Sequence, residues 1–397
     1  MKVQIAFDLA ANGLGDFFTL DDSTKGVLDG TTYTLAGDVL VDVTDDVRSV
    51  QVRRGRSRQL SKFTAGNANI TLSNRDRAYD PLNTASPYYG SLVPRKQVIV
   101  ERDGYRLLTG LTEDWNLSYD LSADNLAEVS CVDGLASLAA TTLTAGTATA
   151  QATGARVQAY LDAAGWPTTL RAISAGQATL GADVISDGTN ALAYLQKVEA
   201  SEPGALFVDR DGMVTFRDRN DLQAFTSGVT FADDGTGIPF TDIEVTYGTE
   251  EMVNSVTVNY TGGTVTAVDA TSVAAYGTFD ATVDSLLGSS ADILADWVLG
   301  NYAEPKYRIT GLTVILDGLP TAQQAQALDI DLGDVVYVTW TPNGAGAAIA
   351  QYCTVEGIEH DATPAAHYIT FTLASTIASF QLDSTEWGVL DTNALGY

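Results

Sequence analysis

Two histidines, His360 and His367, are the only imidazoles in the 397 residues, and they stand seven positions apart around Pro364. A helical zinc pair needs its histidines at i and i+4, and a nucleophilic centre needs a serine or cysteine beside the base. Neither condition is met, so this spacing reads as the two ends of a hairpin. Cys131 and Cys353 lie 222 positions apart, each inside a strand-like run, and read as separate core thiols. No Gly-x-Ser-x-Gly elbow and no Walker-type phosphate loop occur. Adjacent carboxylates such as Asp45-Asp46, Asp233-Asp234 and Glu250-Glu251 are what chance gives among 50 acidic residues, and they read as solvated. Asp209-Arg210-Asp211-Gly212 has the opening of a calcium loop but lacks its later oxygens and final Glu, so it reads as a glycine turn between two strands. Nothing converges on catalysis. The expectation is a non-enzyme with no cofactor and no metal.

Charge is the stronger signal. The net charge is −28, yet twelve of the 22 Lys and Arg residues fall between Arg48 and Arg106. Only Asp76, Asp80, Glu101 and Asp103 oppose them, so this island sums to +8 inside a chain whose remainder sums to −36. Such asymmetry points to a surface that meets a partner. The candidate assembly residues are Arg53, Arg54, Arg56, Arg58, Arg75, Arg77, Arg95 and Lys96, and the first four are expected to be exposed. The deficit of cations elsewhere argues against wrapping nucleic acid, whose affinity comes from phosphate neutralisation. No apolar run approaches the roughly 20 residues of a membrane span. The N-terminus alternates like a strand and lacks a signal-peptide core, which implies folding in a cytoplasm.

Within the island, Val47, Val50 and Val52 alternate as in a half-buried strand, and Arg53-Arg54-Gly55-Arg56 reads as a turn or bulge. Then come Ala65-Gly66-x-Ala68-x-Ile70-Thr71-Leu72-x-Asn74-x-Asp76-Arg77-x-Tyr79-Asp80-Pro81-x-Asn83, Ser86-Pro87-Tyr88-Tyr89, Pro94-Arg95-Lys96 and Leu108-Thr109-Gly110. This ordered set over residues 40–140 resembles the minor tail proteins of long-tailed bacteriophages (siphophages), and within them the tail-tip or baseplate hub proteins. Residues Ser272–Gly277, the helix beyond them and the strand after Pro305 add a weaker resemblance to the later part of such hubs.

The elements that would carry these motifs are mostly strands. Residues 1–145 show many short strands separated by turns, as in a sandwich or small barrel, with strands near Thr32–Leu35 and Val39–Val43 and a short helix after Asp133-Gly134. Residues 141–152 are small and polar and read as a linker. Residues 146–235 read as an α+β module. One helix uses Val157, Tyr160, Leu161 and Ala164; a second uses Leu192, Leu195 and Val198; a hairpin follows. Residues 236–377 return to β, with a helix capped by Ser289 or Ser290 that buries Ile293, Leu294, Trp297 and Val298, and a shorter helix at 322–328. Residues 378–397 read as a C-terminal arm.

The fold class is therefore mainly β: two barrel- or sandwich-like domains with a small α+β domain between them. The resemblance implies a homotrimeric ring at the tail tip of a virion, whose six β domains match a sixfold tail tube. It also implies contacts with a distal tail protein or the tube, the tape-measure protein and receptor-binding or other minor tail proteins. Such a hub caps or gates the tube and opens for DNA passage, without specific nucleic-acid binding or stable membrane insertion. The alternative is a carbohydrate-binding receptor module, in which Trp115, Trp166, Trp297, Trp340 or Trp387 stacks on sugar rings.

Overall fold

The structure is a computed structural model that describes residues 1–8, 38–120, 124–222 and 228–375. The sequence expectations for Thr32–Leu35, Trp387 and the C-terminal arm fall outside these residues. Within them the chain is mainly β, with most of its strands in one 13-stranded sheet.

Alternation builds that sheet. In the strand Thr64–Ser73, Ala68, Ile70 and Leu72 all point inward and are fully buried. In Val47–Gly55 the inward positions are Val50, Val52 and Arg54. Pairing runs from Val47–Gly55 through Thr64–Ser73, Leu126–Val132, Tyr105–Ser118, Gln97–Arg102 and Lys2–Phe7 to the edge strand Val39–Asp42. On its other side Val47–Gly55 pairs with the far end of the 14-residue strand Ile349–Ala362. That strand continues the sheet into His367–Ser375, Tyr307–Ile315 and Asp242–Tyr247, and its near end branches to Val335–Trp340. Val229–Ala232 adds in parallel to Val335–Trp340, so by its hydrogen bonds it belongs with the C-terminal strands.

The seam where the two halves meet is short and tight. Gly55 lies opposite Gly357, and the Arg56 N–H donates to the Glu356 carbonyl at 2.8 Å. Gly55 has φ +109°, and a Cβ there would stand 2.3 Å from the Glu356 oxygen. A side chain at this position meets strained backbone and a clash together.

Between the β halves, helices Thr153–Ala163 and Ala191–Ala200 pack on each other, and the hairpin Ala205–Val208/Val214–Arg217 turns at Asp209, whose Oδ1 accepts from the N–H groups of Asp211 and Met213 at 2.9 Å. Residues 141–152 are not a free linker, which corrects the reading from their composition. They form three short strands, Thr142–Leu143, Gly146–Ala148 and Gln151–Ala152, paired with Thr189–Asn190, Asp183–Ile185 and Thr179–Leu180. Arg156 fastens them from inside: fully buried, it donates to the carbonyls of Thr149 (2.8 Å) and Gly181 (2.7 Å) and to the Tyr194 hydroxyl (2.9 Å). Small polar residues satisfy a ladder as readily as a loop when a buried donor holds the strands.

A separate three-stranded sheet has Ser255–Tyr260 at its centre, with Gly263–Val268 antiparallel and Asp280–Asp284 parallel to it. The helix Ala291–Tyr302 covers it, burying Ala291, Leu294, Ala295 and Val298 at i, i+3, i+4, i+7 spacing. Ile293 is off that stripe and exposed, contrary to the sequence expectation. Ser290 precedes the helix but makes no side-chain cap bond.

Replacing Gly55 with Ala should destabilise the protein by about 2–4 kcal/mol, through positive-φ strain plus the clash. Urea unfolding measures this. A loss below about 0.5 kcal/mol would mean the seam tolerates a side chain.

Candidate functional site: the basic island

The island does not present one open cationic face. Of its eight candidate residues, Arg54 and Arg56 are buried, with side chains 3% and 7% exposed, which overturns the expectation that all four arginines from 53 to 58 lie on the surface. Period two explains Arg54, since it follows Val50 and Val52 on the inward face. Its Nη2 donates to Asp331 Oδ1 at 2.8 Å. The reversal at Gly55 turns Arg56 inward as well. Its Nε donates to Glu356 Oε2 at 2.6 Å, its Nη1 donates to the Ser61 carbonyl at 3.2 Å and lies 3.7 Å from Glu199 Oε1, and its guanidinium covers the Phe63 ring at 4.4 Å.

The other members lie toward solvent except Lys96, whose side chain is 17% exposed. Arg53 is 68% exposed and its Nε donates to Glu359 at 3.0 Å; Arg58 is 47% exposed and pairs with Glu250. Arg75 pairs with Asp124 (2.7 Å), Arg77 with Asp80 (2.9 Å) and Lys96 with Asp38 (2.6 Å). Arg95 is exposed and, among the described residues, has no carboxylate partner. Further along, Arg102 reaches Asp317 (2.6 Å) and Arg106 reaches Asp211 (3.3 Å). Most of these acids come from the second half of the chain. Much of the island's partner is therefore the rest of the same protein.

The motif from Asn74 to Ser86 proves to be a self-locking loop. Asn74 Oδ1 accepts from the Tyr79 N–H (3.0 Å), Asn83 Nδ2 donates to the Arg77 carbonyl (2.9 Å), and Asp80 accepts from the Leu82 N–H (2.9 Å) and the Tyr119 hydroxyl (2.8 Å). These donors, the Arg77 guanidinium first, hold the Asp80 carboxyl below its ordinary value. Tyr79 is fully buried, stacks on Trp115 and Tyr88, and donates to Asp46 at 2.7 Å.

Three groups that the sequence reading missed complete the junction. Asp133 caps the helix Gly134–Ala140, accepting from the N–H groups of Leu135 (2.8 Å) and Gly66 (2.7 Å), and burial pushes its carboxyl up to about 7 against those bonds. Glu199, buried behind Arg56, is likewise pushed up by desolvation to about 7. Glu356 sits at a bulge in its strand beside Gly357. A glutamate next to a glycine inside an apolar strand was the available signal, because strand glycines mark close backbone approach.

The histidines flank a hairpin turn, as their spacing suggests, but they also face each other: His360 Nδ1 lies 3.0 Å from His367 Nε2, both rings buried. Burial lowers both imidazoles, His360 well below its ordinary value and His367 to about 4. One ring donates and the other accepts, and burial keeps both rings uncharged at neutral pH. Among the described residues no group of three or more His, Cys, Asp or Glu is placed to hold a metal ion.

Removing the Arg56 guanidinium leaves Glu356 and Glu199 buried without their cation, so Arg56→Ala should cost about 3–5 kcal/mol, whereas Arg53→Ala should cost under about 1 kcal/mol. Equal losses in denaturant unfolding would contradict the burial assignment. For the imidazoles, folded values below the unfolded 6.5 mean that the unfolded chain takes up protons first. Their stabilisation is present above pH 6.5 and is lost as pH falls toward 4; the raised values of Asp133 and Glu199 act in the opposite sense between about 7 and their ordinary range. From pH 7 to 4.5 the wild type should lose about 4–5 kcal/mol more than the His360→Leu/His367→Leu double variant, since two lowered imidazoles each contribute about 1.4 kcal/mol per pH unit over most of that window. Parallel stability curves for the two proteins would refute a neutral buried pair.

Neither a protein-family model nor a curated protein sequence matches the chain. Solved structures do. The 43 kDa tail protein of prophage MuSo2 from Shewanella oneidensis superposes with a TM-score of 0.60 at 13% identity, over 95% of this chain and 98% of that one. The tail protein from Neisseria meningitidis MC58 gives 0.54 at 13% identity, over 85% and 94%. Prophage tail protein gp18 from Listeria monocytogenes EGD-e gives 0.51 at 10% identity, over 94% and 94%. Along nearly its whole length, the chain has the fold of prophage tail proteins.

Proposed function

We propose that this chain is a structural virion component of a bacteriophage tail tip: the central hub, a ring of three copies that caps or gates the tail tube and opens for DNA passage. The observation that carries this reading is the end-to-end likeness in fold to a prophage tail protein of matching length, with 95% and 98% of the two chains aligned. The residues behind the resemblance at 40–140 support it, because they build a rigid loop and a sheet seam, which are the features of a structural part. In this reading the exposed island members Arg53, Arg58, Arg75, Arg77 and Arg95, with Lys96, serve as assembly contacts toward the tube or a distal tail protein. The tape-measure and receptor-binding proteins attach to the same ring. An acidic wall would let DNA slide, since cations would hold its phosphates.

The carbohydrate-binding alternative gains no support from the four tryptophans among the described residues. Trp340 is buried, and Trp115, Trp166 and Trp297 are half-buried against the core.

Native mass measurement should give a species of about 126 kDa, three times the 41.9 kDa chain, and images of tails should place it at the tip. The isolated protein should show no salt-sensitive binding to duplex DNA at physiological ionic strength. A stable monomer at assembly concentrations, or tight DNA binding, would overturn the hub reading.

A further inference from the structure

The histidine pair sits in the strand that joins the two β halves. Among the described residues one ladder of six pairs links the halves of the sheet, from Gly357↔Gly55 to Ala362↔Val50. His360 lies within it, opposite Val52. It stands two residues from Ile358, the partner of Arg54, so its ring shares the inward face with that guanidinium.

The bond between the rings limits how many protons the pair can hold. One hydrogen lies between His360 Nδ1 and His367 Nε2, which are 3.0 Å apart. Two ring nitrogens remain, and a neutral pair carries a hydrogen on only one of them. His367 Nδ1 is buried without a partner, so the neutral pair leaves it as a bare acceptor and keeps the hydrogen on His360 Nε2. A third proton has to go onto His367 Nδ1. There it makes a buried N–H with no acceptor and adds a charge. Around the pair stand Arg54 with Asp331, Arg102 with Asp103 and Asp317, and the Met1 ammonium. Among the described residues no carboxylate bonds to either ring.

We propose that the pair is a proton-operated catch on the seam: neutral, it lets the halves close, and a third proton opens the ladder between Val50–Gly55 and Gly357–Ala362 while each half keeps its own strands. Opening brings water to the rings and gives the new N–H an acceptor. The hairpin holds while the seam yields, because Ile349–Ala362 and His367–Ser375 share nine pairs and the short turn 363–366 closes them. The seam strands have six pairs and no such turn, being some 300 positions apart.

Amide hydrogen exchange of the full chain, read peptide by peptide at pH 7 and pH 5 and corrected for intrinsic rates, tests the catch. At pH 5 segments 50–55 and 357–362 should be at least about tenfold less protected than the interior strands Leu126–Val132 and Tyr307–Ile315. Between pH 7 and 5 their protection should fall about a hundredfold more in the wild type than in His360→Leu/His367→Leu, as two imidazoles become free to titrate near 6.5. Seam amides as protected as the interior strands at pH 5 would mean that the molecule opens only as a whole, and would overturn the catch. An equal fall in the two proteins would assign the release to other groups and overturn it as well. If the leucine variant does not fold, the comparison of seam with interior strands decides on the wild type alone.

Discussion

A buried charge must find its counter-charge, and in this chain that requirement ties the two ends of the sequence together. Arg54 and Arg56 belong to the first sheet half; Asp331 and Glu356 belong to the second. Either partner alone would be an uncompensated ion in a low-dielectric interior, so neither half reaches its final packing without the other. The same pairs fix register. The Val50–Gly55 segment could slide along Gly357–Ala362 by two residues and keep its ladder bonds, but Arg56 would then lose Glu356. Ion pairs of this kind add little net stability and much specificity about which arrangement is reached.

Neighbouring features repeat this economy. The Asn74–Ser86 loop satisfies its backbone with its own side chains, and the histidine pair satisfies itself ring to ring. Asp133 serves one N–H at a helix start and one in the strand Thr64–Ser73 while lying close enough to Arg54 to feel its charge. The middle of the molecule is thus rich in polar groups that depend on each other, surrounded by ordinary aliphatic packing.

Local order was legible in the sequence, and long-range order was not. Alternation located the strand Lys2–Phe7 and the first part of Val47–Gly55, whose end at Arg53-Arg54-Gly55 reads as a turn but continues the strand, and apolar spacing located the helices near 153–163, 191–200 and 291–302. The loop signature was legible as a turn because Asp80-Pro81 restricts the backbone. Arg54 could have been placed inside by continuing the period of Val50 and Val52, but a run of four arginines reads as surface when charge is weighed before alternation. The seam itself had no local signal, since its strands lie some 300 positions apart and strand pairing leaves no mark on sequence spacing. The ladder at 141–152 was hidden for a similar reason: its strands are held by Arg156 and by partners that follow later in the chain.

That separation has a consequence for synthesis. A ribosome adding about 5–20 residues each second needs roughly 15–60 s to travel from Gly55 to Gly357. Throughout that interval Val47–Gly55 is an unpaired edge beside a nascent core, open to a neighbouring chain on the same messenger. Its charges are suited to the wait. Arg48 and Arg53 project from the outward face, and lysine or arginine along an edge discourages strands of other molecules from adding there. Arg53, which later pairs with Glu359 across the seam, would first help to guard this edge against premature pairing.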